Sequence, residues 1–200
     1  MKLIAGLGNY GAEYEGTRHN MGFEVVEELA KDLDLQFDRN DFKGAFCKGQ
    51  AYGQDVILLK PLTYMNLSGQ SVAPIMKFYK IPIADLIVIC DDLAIKPGTW
   101  RARSKGSSGG QKGLQNIIDL LGTEDFKRIR IGTGEPAHGK SEVVDYVLGK
   151  PSNDDRRFID KAQDEAVKFL HIFIRDGYQK AMDAISTGII KEDVRQVDAK

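Results

Sequence analysis

At 200 residues and 22.2 kDa, with 42% hydrophobic and 28% charged residues, the chain has the size and composition of one water-soluble domain with a sizeable core. A formal net charge of −1 argues against a globally basic nucleic-acid scaffold, and no run approaches the roughly 18 apolar residues of a membrane span. The two cysteines and three histidines lie too far apart for zinc spacing, so no metal is expected.

The chain enters directly into an apolar strand, predicted at 2–7, so no secretory signal is expected. The strand runs into Gly6-Leu7-Gly8-Asn9-Tyr10-Gly11, which satisfies the G-x-G-x-x-G spacing of a dinucleotide-binding turn. Such a site needs its last glycine at the start of a helix, where the pyrophosphate rests. Here Gly11 is followed by a polar stretch interrupted by Gly16, with no helical apolar period before Met21. The glycines are therefore expected to open a loop, and no nicotinamide cofactor is expected. The loop ends in Thr17-Arg18-His19-Asn20, which sets His19 just ahead of a helix at about 21–33. Val25, Val26, Leu29, Ala30 and Leu33 form that helix's apolar face, with Asn20 as its expected N-cap.

Strands at 44–50 and 55–60, joined around Gly53-Gln54, read as a hairpin, which makes the sheet mixed. After Lys60 the chain presents Tyr64, Met65 and Asn66 before a helix at about 70–79, which tolerates Pro74 only near its first turn. A fully apolar strand at 85–90, expected to be central, ends in Asp91-Asp92. Cys47 and Cys90 both fall in apolar strands and are expected as free buried thiols of a cytosolic protein. A basic strand at 98–104 leads through the glycine-rich stretch Lys105 to Gly113 into a helix at 111–121, with Leu114, Ile117, Ile118 and Leu121 on one face. One more strand is predicted at 128–133, and the segment 141–148 is ambiguous. Ser152 to Asp155 resembles a capping box opening a long helix with Ile159, Ala162, Ala166, Phe169, Leu170 and Phe173 as its buried stripe. Gly177 and Gly188 bracket a last short helix. The alternation predicts a single α/β domain over 1–200, a twisted, mixed and mostly parallel sheet flanked by helices, with a helical segment at about 152–190 packed on it.

The side chains at the strand ends suggest a reaction. A neutral histidine can deprotonate water near physiological pH, and a carboxylate on its far nitrogen would fix the tautomer. Carboxamides of Asn9 and Asn66 could donate to a developing oxyanion. No G-x-S-x-G elbow marks a nucleophilic serine, so the set suits water attack on a reactive ester. The neutral chain also carries a local basic patch: residues 96–130 hold eight basic side chains against three acidic ones, a net of +5. Such a patch fits either a phosphate-bearing partner or a plain solvated face. The glycine-rich stretch is not a P-loop, because Gln111 and Gly113 occupy two of its required positions. It still offers backbone N–H groups to an anion, with Arg101, Arg103 and Lys105 beside it.

In order and spacing, GLGNYGAEYEGTRHNMGFEVV, KPLTYMNLSG, IVICDDLAIKPG, GSSGGQKGLQNII and FKRIRIGTGEP resemble the motifs of bacterial peptidyl-tRNA hydrolase. The resemblance implies a monomeric, cytoplasmic enzyme without metal or cofactor that cleaves the ester between a peptide and the 3′-terminal ribose of tRNA. It makes His19 the general base and Asp91 its support. Asn9 would read the first amide of the peptide, and Asn66, flanked by Tyr64 and Met65, would hold the substrate at the scissile ester. Tyr14 would touch the tRNA end, Gly109, Lys105 and Lys112 would line the substrate loop, and Arg103 and Arg130 would clamp the 5′-phosphate. Four positions depart from the pattern: Tyr10 for a usual proline, Ala94 for a common acidic residue, and Gln111-Lys112 for His-Asn. A non-catalytic RNA-binding relative on the same scaffold is the alternative.

Overall fold

The structure, a computed structural model, describes residues 1–137 and 142–195. Seven strands form one sheet: β1 (Lys2–Gly6), β2 (Arg39–Asp41), β3 (Gly44–Ala51), β4 (Gln54–Pro61), β5 (Leu86–Asp92), β6 (Trp100–Arg103) and β7 (Lys127–Gly132). Their order is β2-β3-β4-β1-β5-β7-β6. The four central strands run parallel, while the β3–β4 hairpin at one edge and β6 at the other run antiparallel. Parallel central strands buried on both faces explain the unbroken apolar runs Leu3–Leu7 and Leu86–Cys90.

Alternation along the strands feeds two cores. Ile4, Ile87, Ile89, Trp100, Ile129 and Ile131 meet helices α1 (Met21–Asp32), α5 (Asn153–Asp176) and α6 (Tyr178–Ser186) on one face. Leu3, Ala5, Leu7, Leu59 and Val88 meet α2 (Gly69–Tyr79) and α3 (Lys112–Leu121) on the other. The stripe expected on α5 is buried in full, and Ser152 caps the helix by accepting from the Asp155 N–H at 3.1 Å. The ambiguous segment 141–148 begins on a residue outside those described; from Val143 to Val147 it is a short helix, α4.

Several expectations need correction. Pro74 lies inside α2, beyond the first turn, and helix continues to Tyr79. The loss of one N–H bond is offset there by the burial of Val72, Ile75 and Met76 against the sheet. Strand β2 escaped notice because its three residues are all exposed and carry no apolar alternation. Asn20 does stand at the N-cap position of α1, but its side chain makes no capping bond. Both cysteines are free and buried, and burial pushes the Cys47 thiol up to about 11, far from a reactive thiolate.

The opening glycines make room for α1. A Cβ on Gly6 would fall 2.0 Å from the Gly22 carbonyl oxygen, and one on Gly22 would fall 2.3 Å from the Leu7 nitrogen. The two glycines let α1 press its first turn against the end of β1. The residues immediately before that turn, including His19, are thereby held against the C-terminal edge of the sheet.

Candidate active site

The loops that follow β1, β4 and β5 converge at the C-terminal end of the parallel strands, where open α/β folds bind ligands, and the glycine-rich stretch after the antiparallel β6 runs back to the same end, where Gln111 reaches Asp91. His19 sits in a single 3-10 turn, Arg18–Asn20, ahead of α1. Its Nδ1 lies 2.9 Å from both carboxylate oxygens of Asp91, whose side chain is only 3% exposed at the tip of β5. A carboxylate at this distance suits the tautomer that carries its proton on Nδ1 and turns the Nε2 lone pair outward. The imidazole is 15% exposed, enough to meet water.

Asn9 is bound from three sides. Its N–H donates to Asn20 Oδ1 at 2.8 Å, its carbonyl accepts from Asn20 Nδ2 at 3.1 Å, and its Oδ1 accepts from the Met65 N–H at 2.8 Å. The backbone donor at Met65 fixes which end of the Asn9 carboxamide is oxygen. The unused role of Asn20 as a cap is thus explained: its carboxamide reads both backbone groups of Asn9, a closed pair worth more than one helical N–H. Met65 is buried, with its sulfur beneath the site, whereas Asn66 and Tyr64 are exposed beside it. Tyr14 is half-buried in the turn after Gly11, and Tyr10 is 62% exposed.

The +5 patch divides into parts. Cross-strand register pairs Arg101 with Arg130 and Arg103 with Arg128, so all four arginines share the sheet face opposite Trp100 and Ile131. Arg128 is fully buried and donates to the carbonyls of Gly106, Ser107, Glu124 and Phe126, so it is no part of a docking surface. Burial lowers its pKa. Arg130 pairs with Asp92 at 3.1 Å and donates to the Ser107 carbonyl at 2.6 Å. These two guanidinium groups hold down the glycine-rich loop. A Cβ at Gly109, where φ is +59°, would strike Arg130 Nη1 at 2.6 Å. Arg101 lies 3.7 Å from Glu192, while Arg103, Lys105 and Lys112 are exposed.

Two contacts had no distinct sequence signal. Arg18 stacks 3.8 Å from the centroid of the Tyr146 ring and donates to its carbonyl, tying α4 to the turn that carries His19. Gln111 caps α3 by accepting from the Leu114 N–H and reaches Asp91 with its other end, a role hinted at only by its place between glycines and a helix. Among the described residues no group of three or more His, Cys, Asp or Glu is arranged to hold a metal ion, and no helix is long and apolar enough to cross a membrane.

A doubly covered α/β sheet that brings an acid-bound imidazole beside carboxamides holds side-chain types that hydrolases use to activate water. The comparisons with known proteins give the family. The model of peptidyl-tRNA hydrolase matches residues 3–193. A peptidyl-tRNA hydrolase of Geobacillus kaustophilus is 54% identical over 162 residues, covering 81% of this chain and 87% of its own. One from Desulforamulus reducens is 48% identical over 183 residues, covering 92% and 87%. The crystal structure of peptidyl-tRNA hydrolase from Acinetobacter baumannii superposes with a TM-score of 0.87 at 40% identity, covering 92% of this chain and 94% of that one. The chain belongs to the peptidyl-tRNA hydrolase family.

Proposed function

We propose that the chain hydrolyses the ester joining a peptide to the 3′-terminal ribose of tRNA, with His19 as general base. Water hydrogen-bonded to His19 Nε2 loses its proton as its oxygen attacks the ester carbonyl. Asp91 stabilises the imidazolium that forms. The negative oxygen of the tetrahedral intermediate is met by carboxamide donors, Asn66 from the exposed side and the Nδ2 of Asn9. Collapse breaks the bond to the ribose 3′-oxygen, and the imidazolium returns the proton to that leaving group. Free peptide and tRNA are the products.

Asn9 is held too rigidly to serve as a general contact, which suits it to reading the first amide of a blocked substrate. Arg103, Lys105 and Lys112 supply exposed positive charge for the acceptor end and the 5′-phosphate. Arg130, already engaged by Asp92, acts chiefly by presenting the loop that contains Gly109. Tyr14 and Tyr64 offer aromatic surface at the tRNA end, with Met65 as packing beneath. The same reading has the chain act as a monomer in the cytoplasm; the substrate is formed on ribosomes, which supports that location.

The observation that carries this reading is the buried Asp91 carboxylate within 2.9 Å of His19 Nδ1. The test is release of an N-blocked amino acid from tRNA by wild type and by His19→Ala. A loss of roughly 10²–10⁴-fold in kcat is expected for removal of a general base. Wild-type turnover in the variant would refute the assignment, and RNA binding without turnover in the wild type would favour a non-catalytic relative.

A further inference from the structure

A carboxylate that orients a catalytic histidine must itself be oriented, and Asp91 has two side-chain donors. One is His19 Nδ1; the other is Gln111 Nε2, 3.0 Å from Asp91 Oδ1. Gln111 Nε2 also lies 3.2 Å from Met65 Sδ, while Oε1 accepts from the Leu114 N–H at 2.9 Å. The helix N–H accepts no other orientation, so the amide is locked with its nitrogen toward Asp91. Both ends of the side chain are used, in a space tight enough that a Cβ on Gly113 would lie 3.0 Å from Oε1.

We propose that Gln111 is a positioning residue for the proposed His19–Asp91 pair: it clamps the carboxylate from the N-terminus of α3 and sets how strongly that carboxylate holds the imidazolium. A neutral donor on Oδ1 withdraws charge density from the carboxylate and fixes its rotation about the Cβ–Cγ bond. Losing that donor leaves the same negative charge concentrated on His19. The imidazolium is then favoured over neutral imidazole, and the base is available only at higher pH. Freed rotation also lowers the fraction of molecules in productive geometry.

The remaining ionisable groups around the pair are already engaged or distant in role. On its own turn Arg18 stacks on Tyr146 of α4, where Asp145 is exposed. On α1, Glu24 pairs with Arg156; from β5 and β7, Asp92 pairs with Arg130 and Arg128 is held by carbonyls; burial raises the pKa of Cys90. Lys112 of α3 is exposed. Substitution of the neutral Gln111 leaves all these charges in place.

Because Gln111 also caps α3, two variants separate its roles. Gln111→Ser keeps a capping oxygen but is too short to reach Asp91, whereas Gln111→Met keeps length and removes both bonds. Hydrolysis of an N-blocked aminoacyl-tRNA is followed from about pH 5 to 8, with melting temperature measured in parallel. Both variants are expected to move the acid limb of kcat upward by about half to one pH unit, to lower plateau kcat about tenfold, and to leave KM within about twofold. Gln111→Met, which loses the cap as well as the bond to Asp91, should lose more melting temperature than Gln111→Ser.

A wild-type pH profile and kcat in Gln111→Met overturns the inference. So does a defect in Gln111→Met absent from Gln111→Ser, which is a cap effect, or a loss of kcat in both without movement of the acid limb. The inference rests on His19 as base, and His19→Ala in the same assay keeps the two apart. If that variant remains active the base assignment fails; if it is inactive while the Gln111 variants are unchanged, only the clamp fails.

Discussion

The sharpest consequence of the geometry concerns Asn20, which makes no bond to the helix it precedes. Replacing it by alanine strips the N–H and the carbonyl of Asn9 of their partners at 2.8 and 3.1 Å, in a residue 7% exposed. An unsatisfied buried group costs about 1–3 kcal/mol. The cleft adjoins, so water can recover part of that loss, and about 2–4 kcal/mol is expected in total. For a chain of this length each kcal/mol moves the melting temperature by about 2–4 °C, so a fall of about 5–15 °C follows. Released from Asn20, Asn9 loses register with the ester, and kcat/KM on N-blocked substrate should drop about tenfold. Asn20→Asp decides between clamp and cap. As an N-cap, aspartate equals asparagine, and the substitution would be silent. As a clamp, it accepts the Asn9 N–H but turns a second oxygen toward the Asn9 carbonyl, so stability and kcat/KM fall well below wild type. Thermal denaturation and steady-state hydrolysis of the two variants provide the check. An Asn20→Asp protein with wild-type melting and turnover would refute the reasoning.

Two further outcomes follow from packing and charge. Gly22→Ala forces a Cβ to within 2.3 Å of the Leu7 nitrogen and 2.4 Å of the Ile89 oxygen, both backbone atoms that cannot yield. A loss of about 3 kcal/mol or more is expected in denaturant titration, and a variant within about 1 kcal/mol of wild type would contradict the close approach of α1 to the sheet. Arg103→Ala and Lys112→Ala should each flatten the dependence of log KM on log salt by about one unit, the share of one phosphate contact. An unaltered slope in either removes that side chain from the tRNA-binding surface.

What the sequence revealed, and what it hid, divides along the range of the interactions. Apolar period and glycine placement are local, so β1, β4, β5, the stripe of α5 and the loop delivering His19 could be read directly. The proposed reactive groups stand out as histidine, aspartate and asparagine at strand ends, and the structure brings two of them, His19 and Asp91, to 2.9 Å. Asn20 was misread for the same local reason: an asparagine just before a helix usually caps it, and nothing within a few residues announces a partner eleven positions back at Asn9. Arg128 was counted as surface charge because its burial depends on the β6–β7 register and on carbonyls that reach it from the glycine-rich loop. Gln111 stood out only as a departure from a motif, since its work joins a helix end to a strand tip twenty residues away.

These misses share a physical form. Asn20 on Asn9, Asn9 on Met65, Arg128 and Arg130 on Ser107, and Gln111 on Leu114 are all side chains bonded to backbone groups of loops or of the first turn of a helix. Irregular loops leave main-chain donors and acceptors unpaired, and in a buried site those must be satisfied by whichever polar side chain the fold brings near. The same bonds that satisfy the loops also fix the carboxamide of Asn9 and the carboxylate of Asp91. The polar residues that stabilise this end of the sheet and those that orient its reactive groups are therefore one set. Substitutions among them are expected to alter stability and turnover together, whereas removal of His19, which leaves Asp91 the Gln111 donor, should strike turnover far more than stability.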